Sequence, residues 1–127
     1  MFQSKKSSVS NISGEITGTI IGEGMKIENA ILTGTSAIRI DGWFIGKIDI
    51  ESNLILGESG KIEGDVNVKN ALIAGSMHGD ITSSESVHLS STARLTGNIG
   101  TNALIIDEGA IFNGTCKMEK ELVYDSD

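Results

Sequence analysis

Apolar and polar residues alternate along most of this chain, and glycine interrupts the alternation at regular intervals. A five-residue cassette, apolar-x-Gly-x-apolar, occurs five times: Phe44-Ile45-Gly46-Lys47-Ile48, Ile62-Glu63-Gly64-Asp65-Val66, Met77-His78-Gly79-Asp80-Ile81, Leu95-Thr96-Gly97-Asn98-Ile99 and Phe112-Asn113-Gly114-Thr115-Cys116. Its glycines are 18, 15, 18 and 17 residues apart. Ten residues ahead of Gly64, Gly97 and Gly114 stand Leu54, Val87 and Leu104. Each opens an alternating triplet: Leu54-Ile55-Leu56, Val87-His88-Leu89, Leu104-Ile105-Ile106. The shorter units align with each other, Ile38-Arg39-Ile40 through Ile48 matching Ala71-Leu72-Ile73 through Ile81. A weaker copy lies upstream, where Ile21-Gly22-Glu23-Gly24-Met25-Lys26-Ile27 echoes Leu56-Gly57-Glu58-Ser59-Gly60-Lys61-Ile62. There Asn29 takes the place of the cassette glycine, and Asn tolerates unusual backbone angles better than most residues.

The repeat therefore covers residues 20–118 in about six units of about 17 residues. Helical repeats need 30 residues or more per unit and propeller blades 40 or more. A 17-residue unit fits three strands of four or five residues joined by one- or two-residue bends. Stacked coil on coil, this is an all-β parallel β-helix, a β-solenoid. Leu54, Leu56, Ile62, Val66, Val68, Val87, Leu89, Leu95 and Ile99 are predicted to point inward, and Glu63, Asp65, Asn67, His88 and Thr96 outward. The glycines are predicted at bends or where the backbone leaves the β region. At roughly 4.8 Å per coil, six coils make a rod about 30 Å long.

Composition supports this reading. There is no proline, sixteen glycines and 4% aromatic residues, with 39% hydrophobic residues overall. That is the profile of many short strands rather than of a helical bundle. A net charge of −7 argues against nucleic acid as a partner. The charge is uneven, with a basic start at Lys5 and Lys6 and an acidic end over 119–127. One cysteine, Cys116, excludes an intrachain disulfide. No apolar run is long enough for a membrane-spanning helix, and the first twenty residues lack the pattern of a secretory signal. A cytoplasmic location is the expectation.

The ends of such a rod carry the functional argument. Inner coils bond to a coil on either side, whereas the first and last leave strand edges and apolar side chains open. Solenoids that stay monomeric cover these ends, and here no proline and no convincing capping helix is available. Phe112 stands where earlier units have Ile62, Met77 or Leu95, so a large inward side chain falls in the terminal coil. Two open ends on one rod make a filament rather than a dimer. The predicted stacking residues are Leu104, Ile106, Phe112 and Met118 at one end, and Ile21, Met25 and Ile27 at the other, where residues 9–20 (Val9, Ile12, Ile16 and Ile20) could add a further partial coil over the second set. The alternative is that the flanking segments fold back and cap.

The span from about Ile20 to Met118 resembles the bactofilins, a bacterial cytoskeletal family. The resemblance is carried by Ile38-Arg39-Ile40-Asp41-Gly42 with Gly46 four residues on, by Gly79-Asp80-Ile81, and most specifically by Asp107-Glu108-Gly109-Ala110-Ile111-Phe112-Asn113-Gly114-Thr115-Cys116-Lys117-Met118. It implies a right-handed β-helical core over 20–118, between an N-terminal tail over 1–19 and a disordered acidic tail over 119–127. It further implies nucleotide-independent polymerisation by stacking of end coils and association with the inner face of the cell membrane. A scaffold role in cell shape or in positioning cell-wall enzymes is also implied. The proline-rich or basic extensions of some relatives are absent.

Other candidate chemistry is sparse. Met1, Phe2, Lys5 and Lys6 form a short apolar-basic start that could hold a filament on an anionic membrane by avidity. His78 and His88 fall on different coils with no partner at metal-ligand spacing. Cys116 follows the inward positions of Ile48, Val66, Ile81 and Ile99, as a small buried hydrophobe would. Gly22-Glu23-Gly24 and Gly57-Glu58-Ser59-Gly60 lack the Lys-Ser/Thr of a phosphate loop and read as bends. The acidic pairs Asp49/Glu51 and Glu63/Asp65 read as a solvated face. Trp43 lies near a corner, either partly buried or free for a lateral contact. No catalytic arrangement emerges, and no cofactor, metal or nucleotide is expected. A left-handed acyltransferase-like solenoid would keep a strict six-residue step, which units of 15, 17 and 18 do not sustain. An ice-binding solenoid would need a threonine ladder, and only Thr17/Thr19 and Thr33/Thr35 are so spaced.

Overall fold

The computed structural model describes residues 18–118. Eleven strands follow one another with no helix among these residues: β1 (Thr19–Ile21), β2 (Lys26–Gly34), β3 (Ile38–Ile40), β4 (Trp43–Ile50), β5 (Asn53–Leu56), β6 (Lys61–Ile73), β7 (Ser76–His78), β8 (Ile81–Leu89), β9 (Arg94–Thr101), β10 (Ala103–Ile106) and β11 (Ile111–Met118). All pairings are parallel and join residues about one repeat apart, so the chain winds as a β-solenoid.

Three stacks of six segments result. The first face runs β1, β3, β5, the end of β6, the end of β8 and β10. The second takes the starts of β2, β4 and β6, then β7 and the starts of β9 and β11. The third takes the remaining halves of β2, β4, β6, β8, β9 and β11. Six coils match the number read from the repeat.

Alternation plus stacking puts like residues in columns. Ile40, Leu56, Ile73 and Leu89 form one, each fully buried. Phe44, Ile62, Met77 and Leu95 form a second, and Ile48, Val66, Ile81 and Ile99 a third. β-branched and aliphatic residues suit these positions because the pleated inner surface is dry on one side and paired along its edges. The column that carries Ile50 and Val68 continues with two buried hydroxyls, Ser83 and Thr101. Their sequence positions sit where the third face turns into the first. Ser83 Oγ–H has the carbonyl oxygens of Lys69 and Ser86 within reach of its single proton, and Ser83 Oγ accepts from Glu85 N–H. Thr101 Oγ1 donates to Ala103 O at 3.1 Å. A buried hydroxyl without a partner would cost about 1–3 kcal/mol, and these bonds are what let Ser83 and Thr101 stand inside.

The cassette glycines occupy the turn between second and third faces. Gly64 has φ 141°, and a Cβ there would overlap the carbonyl oxygen of Gly46 in the preceding coil. The same relation recurs from Gly46 to Gly114, so adjacent coils approach too closely for any side chain. The first coil departs from the expectation. Asn29 has a positive φ of 55°, but it is the extra residue of a bulge, and Ala30 lies opposite Gly46. The inserted residue resets the alternation, so that Leu32 faces Ile48 and Ile31 faces Lys47.

Candidate polymerisation faces

Both ends of the rod are open among the described residues. β10 and β11 pair only with β8 and β9 beneath them, and β1 and β2 only with β3 and β4. Their outer N–H and C=O groups face away from the stack. The side chains report the same opening. Ile106 continues the fully buried column through Leu89 yet is 42% exposed. Leu104, Phe112, Cys116 and Met118 are half-buried, although their counterparts one coil below (Val87, Leu95, Ile99 and Thr101) are at most 1% exposed. The four predicted C-terminal residues are therefore brought together on one face, with Cys116 among them. Cys116 Sγ lies 3.5 Å from Met118 Sδ, and burial pushes its thiol pKa up from the ordinary value.

At the other end the predicted trio divides. Met25 is 60% and Ile27 37% exposed, whereas Ile21 is 5% exposed against Ile40. Met25 stands where the later coils carry Gly42, Gly60, Gly75, Ala93 and Ala110, each preceding the first residue of the second face. A Cβ at Gly42 would overlap the carbonyl oxygens of Gly22 and Met25. A large side chain fits this corner because, among the described residues, no coil lies on its N-terminal side. Gly34 likewise stands in the column of Ile50 and Val68. Gly34 lines an open recess there together with Thr19, Leu32, Ile38 and Ile50.

Ile20, Ile31 and Ile111, at 65%, 74% and 45% exposure, also belong to these end coils and lie outside the predicted stacking set. All three point outward, Ile31 and Ile111 at positions that inner coils fill mostly with polar residues and Ile20 in a column that inner coils share between Arg39, Ile55, Leu72 and His88. Their signal in the sequence was an apolar residue in an outward column, readable only once the register of the end coils is known.

The remaining candidates are placed individually. Trp43 is half-buried on the outside of the second face, with the Lys26 and Lys61 ammonium groups 4.1 and 4.8 Å from its ring centre. Its Nε1–H donates to Glu63 Oε2 at 3.0 Å. These contacts resolve the two options for Trp43 toward a clamp between neighbouring coils. His78 is exposed on the fourth coil, and His88 on the fifth pairs with Asp107 Oδ1 at 3.0 Å. Among the described residues no three His, Cys, Asp or Glu side chains gather to hold a metal. No helix among them is long and apolar enough to cross a membrane. Met1, Phe2, Lys5 and Lys6 lie outside the described residues, as does the acidic segment over 119–127.

Comparison with known proteins agrees with this architecture. Residues 19–117 match the family model described as Bactofilin, polymer-forming cytoskeletal. The chain is 33% identical over 104 residues to bactofilin BacO of Myxococcus xanthus, covering 82% of each chain. It is 33% identical over 106 residues to bactofilin BacP of the same organism, covering 84% of this chain and 44% of that one. No solved structure matches. The matched residues coincide with the six stacked coils and their open ends, and the chain belongs to the bactofilins, a family of polymer-forming cytoskeletal proteins.

Proposed function

We propose that this chain is a scaffold rather than an enzyme, and that it assembles without nucleotide into filaments by stacking its end coils. One observation carries the reading. Of the seven large apolar side chains exposed among the described residues, six lie on the first or last coil, and three of these (Met25, Ile27 and Ile106) stand in columns that the inner coils bury, so that only a further coil would cover them. Covering an end of several hundred Å² at about 25 cal/mol per Å² contributes several kcal/mol before the cost of association. Unsatisfied edge strands on the same coils add backbone bonds to the joint. The purified chain is expected to pellet at high speed without nucleotide and to show filaments by negative stain. A small particle that turns over an acyl-thioester would instead favour the solenoid enzymes.

Cys116 offers a local probe of the joint. It sits among the side chains that stacking would cover, and only its thiolate form is reactive. Alkylation of Cys116 by iodoacetamide is expected to be slower in assembled protein than in a non-assembling variant, by about tenfold or more if the joint is dry. Equal rates would move the joint away from the last coil.

We further propose that the filament lies on an anionic membrane surface through Met1, Phe2, Lys5 and Lys6, and there positions cell-wall enzymes or shapes the cell. Each lysine near such a surface contributes about 1 kcal/mol, too little for one copy but sufficient when a filament presents many. Deleting residues 1–6 is expected to abolish flotation with anionic liposomes while pelleting in their absence persists. Unchanged flotation would end this part of the proposal.

A further inference from the structure

Leu72 is the one large exposed apolar residue of the described chain that lies in an inner coil, at 39% exposure. It belongs to the outward column of the first face, which reads Ile20, Arg39, Ile55, Leu72, His88 and Ile105 in successive coils. Four of the six are aliphatic, on the side of the sheet that faces solvent. Inner-coil positions on the other faces are more highly charged, with Lys47, Asp49 and Asp65 on the third and Lys61, Glu63 and Arg94 on the second.

The polar groups of the first face are already engaged with one another. Arg39 Nε donates to Asp41 Oδ2 at 2.8 Å, and His88 Nε2 lies 3.0 Å from Asp107 Oδ1. Beside the aliphatic ridge runs a hydrogen-bonded ladder, from Ser86 Oγ to Asn70 Oδ1 and from Asn70 Nδ2 to Asn53 Oδ1. Ridge and ladder border a shallow groove lined by Ile55, Leu72, Ser86 and His88.

We propose that the first face is a lateral interface at which two filaments of this chain pair, ridge against ridge. This rests on the end-to-end assembly proposed above. The choice of a second copy as occupant follows from charge and from area. Copies of a chain with net charge −7 repel one another, and they approach most easily where charges are internally matched and the outer column is aliphatic. Two sheets meeting face to face pack about 10 Å apart with their side chains interleaved. The area of one ridge is small beside the roughly 800 Å² per partner of a stable complex, so single subunits do not pair. Ile20 and Ile105 carry the ridge to the two ends of the rod, and a polymer repeats it once per subunit. Pairing is thus a property of the filament, through avidity.

The test uses the full chain and two variants, Leu72→Lys and Leu72→Glu, compared by circular dichroism, pelleting and negative-stain microscopy. Leu72 points outward, so both variants are expected to melt like the wild type and to pellet equally. Wild-type filaments are expected to be paired, increasingly so as salt shortens the Debye length from about 30 Å to about 3 Å. Either charge at Leu72 would have to be buried without a partner, so the paired fraction is expected to fall about tenfold or more. Pairs that persist in both variants overturn the proposal. Wild-type filaments that are single at every salt concentration also overturn it, and hand the ridge to a different partner. A wild-type chain that forms no polymer removes the end-stacking reading itself, and this proposal with it.

Discussion

Phe112→Arg is expected to leave a folded particle of one or two subunits in the supernatant, under conditions where the wild-type chain pellets. Phe112 extends the column of Phe44, Ile62, Met77 and Leu95 to the last coil, where it is half-covered. In an isolated subunit an arginine there can lay its stem over Leu95 and turn its guanidinium to water through the open end. Loss of thermal stability is then small, about 1–2 kcal/mol. In a stacked joint the same charge is shut between two apolar layers. Burying it without a partner costs about 3–5 kcal/mol, which raises the concentration needed for assembly by at least about a hundredfold. Sedimentation together with a thermal melt separates the two effects. A variant that still forms filaments places the joint on another surface.

Gly64→Ala is expected to fail earlier, in folding. The backbone there has φ 141°, and a Cβ would meet the Gly46 carbonyl oxygen, which belongs to the ladder holding two coils together. The methyl group cannot rotate away, so the coils must separate or the backbone must change conformation. Strain and overpacking together amount to about 3–5 kcal/mol. For a domain of this size that lowers Tm by at least about 10 °C. Gly100→Ala is the matched control, since a Cβ there meets nothing within 4 Å, and its effect is expected within about 0.5 kcal/mol. The pair distinguishes glycines required by stacking from one that is not. Equal melting of the two variants would contradict the close approach of the coils. Against Phe112→Arg the contrast is sharper still, because one change removes assembly from a folded rod and the other removes the rod.

The inner coils were legible because each repeats the same physical demand. Leu56, Ile73 and Leu89 are aliphatic for one reason, and a column seen several times averages out local noise. Ser83 and Thr101 escaped the reading since a polar residue at an inward position looks outward until its corner carbonyls are known. The first coil was harder. Asn29 was recognised as tolerant of an unusual backbone, but a bulge and a direct replacement of glycine leave the same mark in sequence. The bulge changes which neighbour faces out, so Ile31 could not be assigned. Met25 is apolar, but its stronger signal lies in the Gly and Ala that fill its column in every later coil. Ile21 was grouped with it, yet is covered. Leu72 sits between two inward residues, Ala71 and Ile73, and an apolar residue there carries no sequence mark of facing water.

The orientation of coils within the filament tests the account most directly. If subunits join through their end coils, the strands run across the filament and the coil spacing lies along it. Fibre diffraction or cryo-electron microscopy is then expected to give a meridional reflection near 4.8 Å and a subunit spacing of about 29 Å, the height of six coils. A 4.8 Å reflection on the equator would show rods lying across the filament, and would contradict assembly through the ends.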